Sequence, residues 1–275
     1  MTLMTTTLNI ATWNVNSVRA RLPLLLTWLK EAKPDVVLLQ ETKVEDLSFP
    51  ASYVEELGYN LCVHGQKSYN GVAILSTSPL EDVTCGLVDF ESVIDAQGDG
   101  AAAKCRYIEA FTAGVRVISV YAPNGQDLDH PRFLMKKAFY QALEARLVHL
   151  LQGPDEVIVG GDFNIAPFES DVYDASLWSN RILCSDEERA WFRRLLNRGF
   201  YDPLQASVTK DQTNPFTWWD YRTRGFEEDR GLRIDHLLLS PGVAQRALSA
   251  HVDRHTRGWE KPSDHAPVVG VLAAA

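Results

Sequence analysis

Apolar residues along this chain fall into short, largely β-branched runs: Leu8 to Trp13, Val36 to Leu39, Val72 to Leu75, Val115 to Val120, Val157 to Val159, Ile234 to Leu239 and Val268 to Leu272. Runs of this length and type predict buried strands. Between them the spacing changes to that of helices. Leu22, Leu25, Leu26 and Leu29 form one stripe, and Met135, Phe139, Leu143, Leu147 and Leu150 form another, in a longer helix opened by Pro131. A third helix is signalled at both ends. Ser185 and Glu188 have the spacing of a capping box, Trp191 and Leu195 share a face, and Gly199 stands where a helix commonly stops. Tyr107 to Phe111 and Val115 to Val120, joined across Ala113-Gly114, predict a strand pair, and Gln97 to Ala103 a loop. Strands mixed with helices indicate the α/β class, with two packed sheets and helices outside them. No linker or low-complexity tract divides the chain, so one domain over 1–275 is expected, with 1–7 as a flexible tail.

Composition adds few constraints. A chain of 275 residues, 45% hydrophobic and 23% charged, can bury a large core without staples. Cys62, Cys85, Cys105 and Cys184 are scattered singly, which suggests neither a zinc ribbon nor a disulfide framework. Met1 to Ile10 lacks the basic start and apolar stretch of a signal peptide, and no run approaches the roughly 18 to 20 apolar residues of a membrane span. A cytoplasmic protein without a membrane contact is expected. The net charge of -9 weighs against nucleic-acid binding, because phosphate contacts supply most non-specific affinity. Basic residues do cluster, at Arg19 and Arg21, Lys136 and Lys137, Arg222 and Arg224, Arg230 and Arg233, and Arg254, Arg257 and Lys261.

Polar residues follow the apolar runs directly. Asn14 ends one, Glu41 follows another, Tyr121 a third, and Asp162 and Asn164 a fourth. Strand ends along one edge of a covered sheet are where ligand groups gather. Cutting a phosphodiester requires a cation against the phosphoryl oxygens, a base for water and help for the leaving oxygen. Glu41 and Asp264 are suitable ligands for magnesium, which prefers carboxylates. Asp162 and Asn164 are two apart and share a face if extended, as do Asn14 and Asn16. Asp264 and His265 are adjacent and project apart, so a different acid is needed to orient His265. Asp235, ending Arg233-Ile234-Asp235, is the candidate.

Seven segments in order carry a resemblance: Trp13-Asn14-Val15-Asn16, Leu39-Gln40-Glu41-Thr42, Tyr121-Ala122-Pro123-Asn124-Gly125, Gly160-Gly161-Asp162-Phe163-Asn164, Phe216 to Arg222, Leu232 to His236 and Pro262 to Pro267. Together they resemble the exonuclease III family of abasic-site endonucleases over about Leu8 to Val271. The resemblance implies a four-layered α/β sandwich and metal-dependent cleavage of duplex DNA 5′ to abasic sites, with 3′ to 5′ exonuclease and 3′-phosphatase action. It implies Mg2+, replaceable by Mn2+, held by Glu41 with Asn14 and Asp264 beside it. A second metal on Asp162, Asn164 and His265 is left open. Asp162 resembles the residue that activates water, Asn164 its orienting partner, His265 braced by Asp235 the group on the scissile phosphate, and Tyr121 the phenol near it. Asn16, Arg19, Asn124, Trp219 and Arg222 are the expected DNA contacts, with Trp219 packing against the abasic sugar or terminal nucleotide. A monomer acting on abasic or 3′-blocked duplex DNA is expected.

Two departures stand out. Glu227-Glu228-Asp229 is acidic where DNA is expected to approach, and Phe168 and Tyr173 follow the Asp162 strand with enough bulk to narrow a pocket for a flipped-out sugar. The bulk of Phe168 or Tyr173 points to a mainly 3′ to 5′ exonuclease as one alternative; because the scaffold alone does not choose the substrate, a non-DNA phosphodiesterase and an inactive DNA-binding module are the others.

Overall fold

A computed structural model describes residues 7–96, 100–207 and 215–274. Its strands are β1 Thr7–Asn14, β2 Val36–Gln40, β3 Asn60–His64, β4 Val72–Ser76, β5 Glu81–Cys85, β6 Tyr107–Thr112, β7 Val115–Tyr121, β8 Val157–Asp162, β9 Trp218–Trp219, β10 Gly231–Leu232, β11 Asp235–Leu239, β12 Ala247–Val252 and β13 Val268–Ala273. The helices are α1 Leu22–Ala32, α2 Ala51–Glu55, α3 Val88–Ala96, α4 Gly100–Ala103, α5 Pro131–Leu151, α6 Ala175–Trp178, α7 Asp186–Asn197, α8 Pro203–Ser207 and α9 Pro241–Ala244.

One sheet runs β12-β13-β1-β2-β4-β3 and the other β11-β8-β7-β6-β5, with β10-β9 as a separate ribbon. Alternation along each strand builds the layers. Ile10, Leu38 and Ile74 of the first sheet meet Ile108, Val117, Ile158 and Leu237 of the second in one apolar cluster. The opposite faces carry Trp13, Val37 and Leu39 against Leu25 and Trp28 of α1, and Ile118, Val120 and Val159 against Phe139 and Leu143 of α5 and Phe192 of α7. The result is the expected four-layered α/β sandwich. Gly160 leaves no room for a side chain, since a Cβ there would stand 2.6 Å from Leu38 of the facing sheet and 2.8 Å from Leu237 on the neighbouring strand.

The helix signals hold. Ser185 and Glu188 form a reciprocal capping box and Pro131 opens α5 behind an N-cap at His130. Ala113 and Gly114, both at positive φ, turn β6 into β7. Two expectations are corrected. Thr7 already belongs to β1, where it pairs with Ala273, and 1–6 lie outside the described residues. Gly100–Ala103 is a helical turn rather than loop, and 97–99 lie outside the described residues. All four cysteines are free thiols. No helix among the described residues is long and apolar enough to cross a membrane.

Topology sets the position of the chemistry. β1 and β2 are parallel, as are β7 and β8, so each pair ends at one edge. β11 runs antiparallel to β8 and begins there with Asp235 opposite Asp162, and β13 runs antiparallel to β1, so the residues before it arrive at the same edge. Under this edge Gln40 donates to Thr12 Oγ1 and Ser119 Oγ at 3.0 Å each, and Ser119 donates to the Leu39 carbonyl. These bonds tie the two sheets together where the core gives way to the site.

Candidate active site

Strands β1 and β8 end in the same device. Asn16 leaves the extended conformation at φ 46° and its N–H donates to Asn14 Oδ1 at 3.0 Å. Asn164, at φ 49°, likewise donates its N–H to Asp162 Oδ1 at 2.9 Å. The spacing of two therefore works through a left-handed turn closed on a side chain, not through a shared face of extended strand. Glu41, just past β2, is also left-handed, at φ 52°.

These turns bring the acids together. Asn14 Nδ2 donates to Glu41 Oε1 at 2.8 Å and to Asp162 Oδ2 at 2.9 Å, spanning the two sheets. His265 Nε2 lies 3.8 Å from Asp162 Oδ2, and its Nδ1 stands 2.8 Å from Asp235 Oδ2. Thr217 Oγ1 fixes the approach of Asp235 by accepting from the backbone N–H groups of both Ile234 and Asp235 at 3.1 Å. Trp13 donates from Nε1 to the His265 carbonyl, and Ser263 Oγ donates to the Asn14 carbonyl while accepting the His265 N–H. The histidine loop is thus sewn to β1.

Electrostatics follow from this crowding. Burial raises the Asp162 carboxyl to about 7, with Asp235 and Glu41 adding to the rise and His265 opposing it. Burial alone would depress His265, but Asp235 and Asp162 outweigh it and hold the imidazole up at about 10. For Glu41 burial pushes upward, yet Lys43, 2.7 Å away, and the Asn14 amide bring the carboxyl below its usual value. Glu41, Asp162 and His265 each offer a ligand atom within 4.8 Å of the others, the convergent set of this kind among the described residues. A carboxylate-rich, partly buried cluster with its own repulsion suits a hard divalent cation.

Other expected residues take varied places. Asp264 stands outside the convergent set, accepting from Asn16 Nδ2 at 2.9 Å and from Trp218 Nε1 at 3.1 Å, so it does project away from His265. Tyr121 is in register with Asp162, with the Arg106 guanidinium 4.7 Å over its ring and Glu41 within reach of its hydroxyl. Asn124 is exposed and donates to Asn164 Oδ1, while Asn164 Nδ2 donates to the Ala122 carbonyl. Arg19 is exposed and holds the Ser48 carbonyl, and Arg222 is exposed beside Asp220.

Trp219 requires correction. It is fully buried against Phe226, Arg254 and Arg257, because neighbours on β9 face opposite ways. Trp218, from the same segment, is the half-buried aromatic at the site; its backbone bridges that of His265 and its indole donates to Asp264. The basic clusters change too. Lys136 and Arg233 are completely buried and Lys137 pairs with Glu187. In the acidic segment Glu228 pairs with Arg230 and Asp229 with Arg254. Tyr173 packs with Trp218, Leu232 and Ile234, whereas Phe168 joins none of the apolar clusters. Lys43, Ser263 and Thr217 are site residues that no motif spacing singled out.

The sequence profile of the Endonuclease/Exonuclease/phosphatase family matches residues 11–265, nearly the whole of this framework. The chain belongs to that family. It is 36% identical over 264 residues to "Exodeoxyribonuclease III" of Haemophilus influenzae, covering 93% of this chain and 96% of that protein. The solved structure "3'-5' exonuclease (NExo) from Neisseria Meningitidis" matches with a TM-score of 0.88 at 41% identity, covering 96% of this chain and 98% of that one. An AP endonuclease from Archaeoglobus fulgidus matches with a TM-score of 0.85 at 33% identity, covering 96% and 99%. The protein is accordingly a hydrolase of the exonuclease III branch, a metal-dependent nuclease whose acidic cluster is able to hold the metal.

Proposed function

We propose that this DNA repair nuclease uses Mg2+ to hydrolyse duplex DNA on the 5′ side of abasic sites, and that the same site trims or dephosphorylates 3′ ends, with the chain acting as a monomer. The observation that carries this reading is the meeting of Glu41, Asp162 and His265, with Asp235 2.8 Å behind the imidazole. Magnesium held on Glu41, with Asn14 bonded beside it, would supply positive charge to the phosphoryl oxygens. Asp162, lifted to about 7, is a base matched to neutral pH and takes the proton of the attacking water. Asn164 and Asn124, linked to each other by their amides, orient that water and the phosphate. His265, kept cationic by Asp235, faces the phosphoryl charge, and Tyr121 stands beside the departing oxygen.

The test is a labelled duplex with one internal abasic analogue, incubated with Mg2+, with Mn2+, with a chelator, and with an Asp162→Asn variant. Metal-dependent incision 5′ to the lesion that the variant loses supports the reading. No cleavage of any DNA substrate would end it.

A second reading, mainly 3′-end trimming, is favoured by the bulk of Tyr173 beside Trp218 and by the exonuclease named among the 41% identical structures. Trading Tyr173 for glycine would then raise internal incision relative to trimming, while the same change at Phe168 would not. An unchanged ratio at Tyr173 removes this reading.

A further inference from the structure

Lys136 projects from α5 into the interior, where its side chain has no exposure to solvent. Its ammonium donates to the carbonyl of Asn164 at 2.7 Å and to that of Asn124 at 3.1 Å, and it forms an ion pair with Glu188. Glu188 is equally buried and accepts in turn from the backbone N–H groups of Leu183 and Ser185 at 3.1 Å and from Ser185 Oγ at 2.7 Å. One lysine therefore connects the loop after β7, the loop after β8 and the start of α7. Gly125 makes the approach feasible, because a Cβ there would meet Lys136 at 3.2 Å and Ile182 at 3.0 Å.

A buried ion pair adds little stability, since an apolar pair of the same volume commonly does as well. What this pair does supply is position. The two carbonyls it clamps belong to the residues whose amides are bonded to each other beside Asp162, and the Asn164 N–H closes on Asp162 itself. We propose that Lys136 is a positioning residue for phosphodiester cleavage, fixing Asn164 and Asn124 through their backbone carbonyls. The inference rests on the role given above to Asn164, and goes beyond it in assigning what holds that residue in place.

The experiment uses the full chain under single-turnover conditions, with enzyme in excess over abasic duplex, so that product release is not read as chemistry. Four variants are compared with wild type: Lys136→Met/Glu188→Gln, which leaves no unpaired charge, Glu188→Gln alone, Asn164→Ala, and the first combined with Asn164→Ala. The paired variant should melt cooperatively and lose about tenfold or more in rate, with the DNA concentration for half-saturation moving less than about twofold, as a small misplacement of a reacting group requires. Glu188→Gln, which leaves both carbonyl bonds in place, should keep most of the rate. In the Asn164→Ala background the paired change should cost less than about threefold, because groups acting as one unit are not additive. Full activity of the paired variant, or an undiminished loss in the Asn164→Ala background, would overturn the inference alone. Full activity of Asn164→Ala would overturn the role of Asn164 as well. Should the paired variant fail to fold, Lys136→Ala/Glu188→Ala is read by the same rates.

Discussion

Replacing each of the two adjacent tryptophans by alanine should have opposite consequences. Trp219 is fully enclosed, edge-on to Phe226 at 5.3 Å and with the guanidinium groups of Arg254 and Arg257 at 5.1 and 5.8 Å from its ring. Its indole nitrogen has no hydrogen-bond partner, so the cost of Trp219→Ala is lost packing and a cavity, about 3–5 kcal/mol. With an unfolding entropy near 2.1 cal/mol/K per residue, 275 residues give roughly 0.58 kcal/mol/K, so the melting temperature should fall by about 5–9 °C. Trp218 is half-buried beside Tyr173, so its removal gives up partial packing as well as the bond to Asp264, together about 2–3 kcal/mol, and lowers melting by about 3–5 °C. Its loss should instead appear in the rate, because its indole N–H holds the carboxylate of Asp264, the neighbour of His265 at the site. Calorimetric melting paired with single-turnover incision reads both quantities. A Trp218 variant that melts lower than the Trp219 variant while cutting DNA normally would refute the assignment of the two faces.

Glu41→Gln should raise the metal concentration needed for half-maximal activity by on the order of tenfold or more, read by Mg2+ titration of the rate; an unchanged requirement would remove Glu41 from the ligand set. Arg233→Met leaves Asp171 and Asp202 buried without their cation, so it should destabilise by about 3–5 kcal/mol in urea unfolding, and a loss under about 1 kcal/mol would contradict the buried network. The same network predicts an acid limit. Burial alone would raise the Asp202 carboxyl, but Arg233 and His236 hold it far below its ordinary 3.8. A depressed folded value means stability that is complete above 3.8 and is lost as pH falls below it. Urea midpoints should therefore decline below that pH in wild type and less steeply in Asp202→Asn; equal slopes would exclude Asp202 as the cause.

Strands buried along their length are legible in the sequence, and these include β11, which ends its sheet but is buried at every position. β1, β2, β4, β7 and β8 are covered on both faces and read as mainly apolar, β-branched runs. β3, β5 and β12 lie at sheet edges, and every residue of β5 is exposed, so no alternation survives to mark them. The same limit applied within the site. Residues that end central strands, Asn14, Asp162 and Tyr121, stood out by following apolar runs, as did Glu41 just past β2. The groups that hold them, Thr217, Ser263 and Lys136, reach the site from another element through bonds to backbone atoms, a contact with no signature in spacing.

A total charge of -9 conceals how the charges are paired. Several of the clustered basic side chains are neutralised locally: Lys137 by Glu187, Arg222 by Asp220, Arg230 by Glu228 and Arg254 by Asp229. Three others bond to neutral oxygens. Arg19 donates to the Ser48 carbonyl, Arg21 to the carbonyls of Asn16 and Pro262 and the Tyr221 hydroxyl, and Arg257 to the Ser263 carbonyl. A guanidinium whose bonds end on carbonyls keeps its full positive charge. Arg21 and Arg257 grip the segments that carry Asn14 to Asn16 and Ser263 to His265, so they brace the site and add positive potential to its rim. The field that a phosphate would meet there is set by this local arrangement of cations and site carboxylates, within a Debye length of about 8 Å at physiological salt, rather than by the total charge.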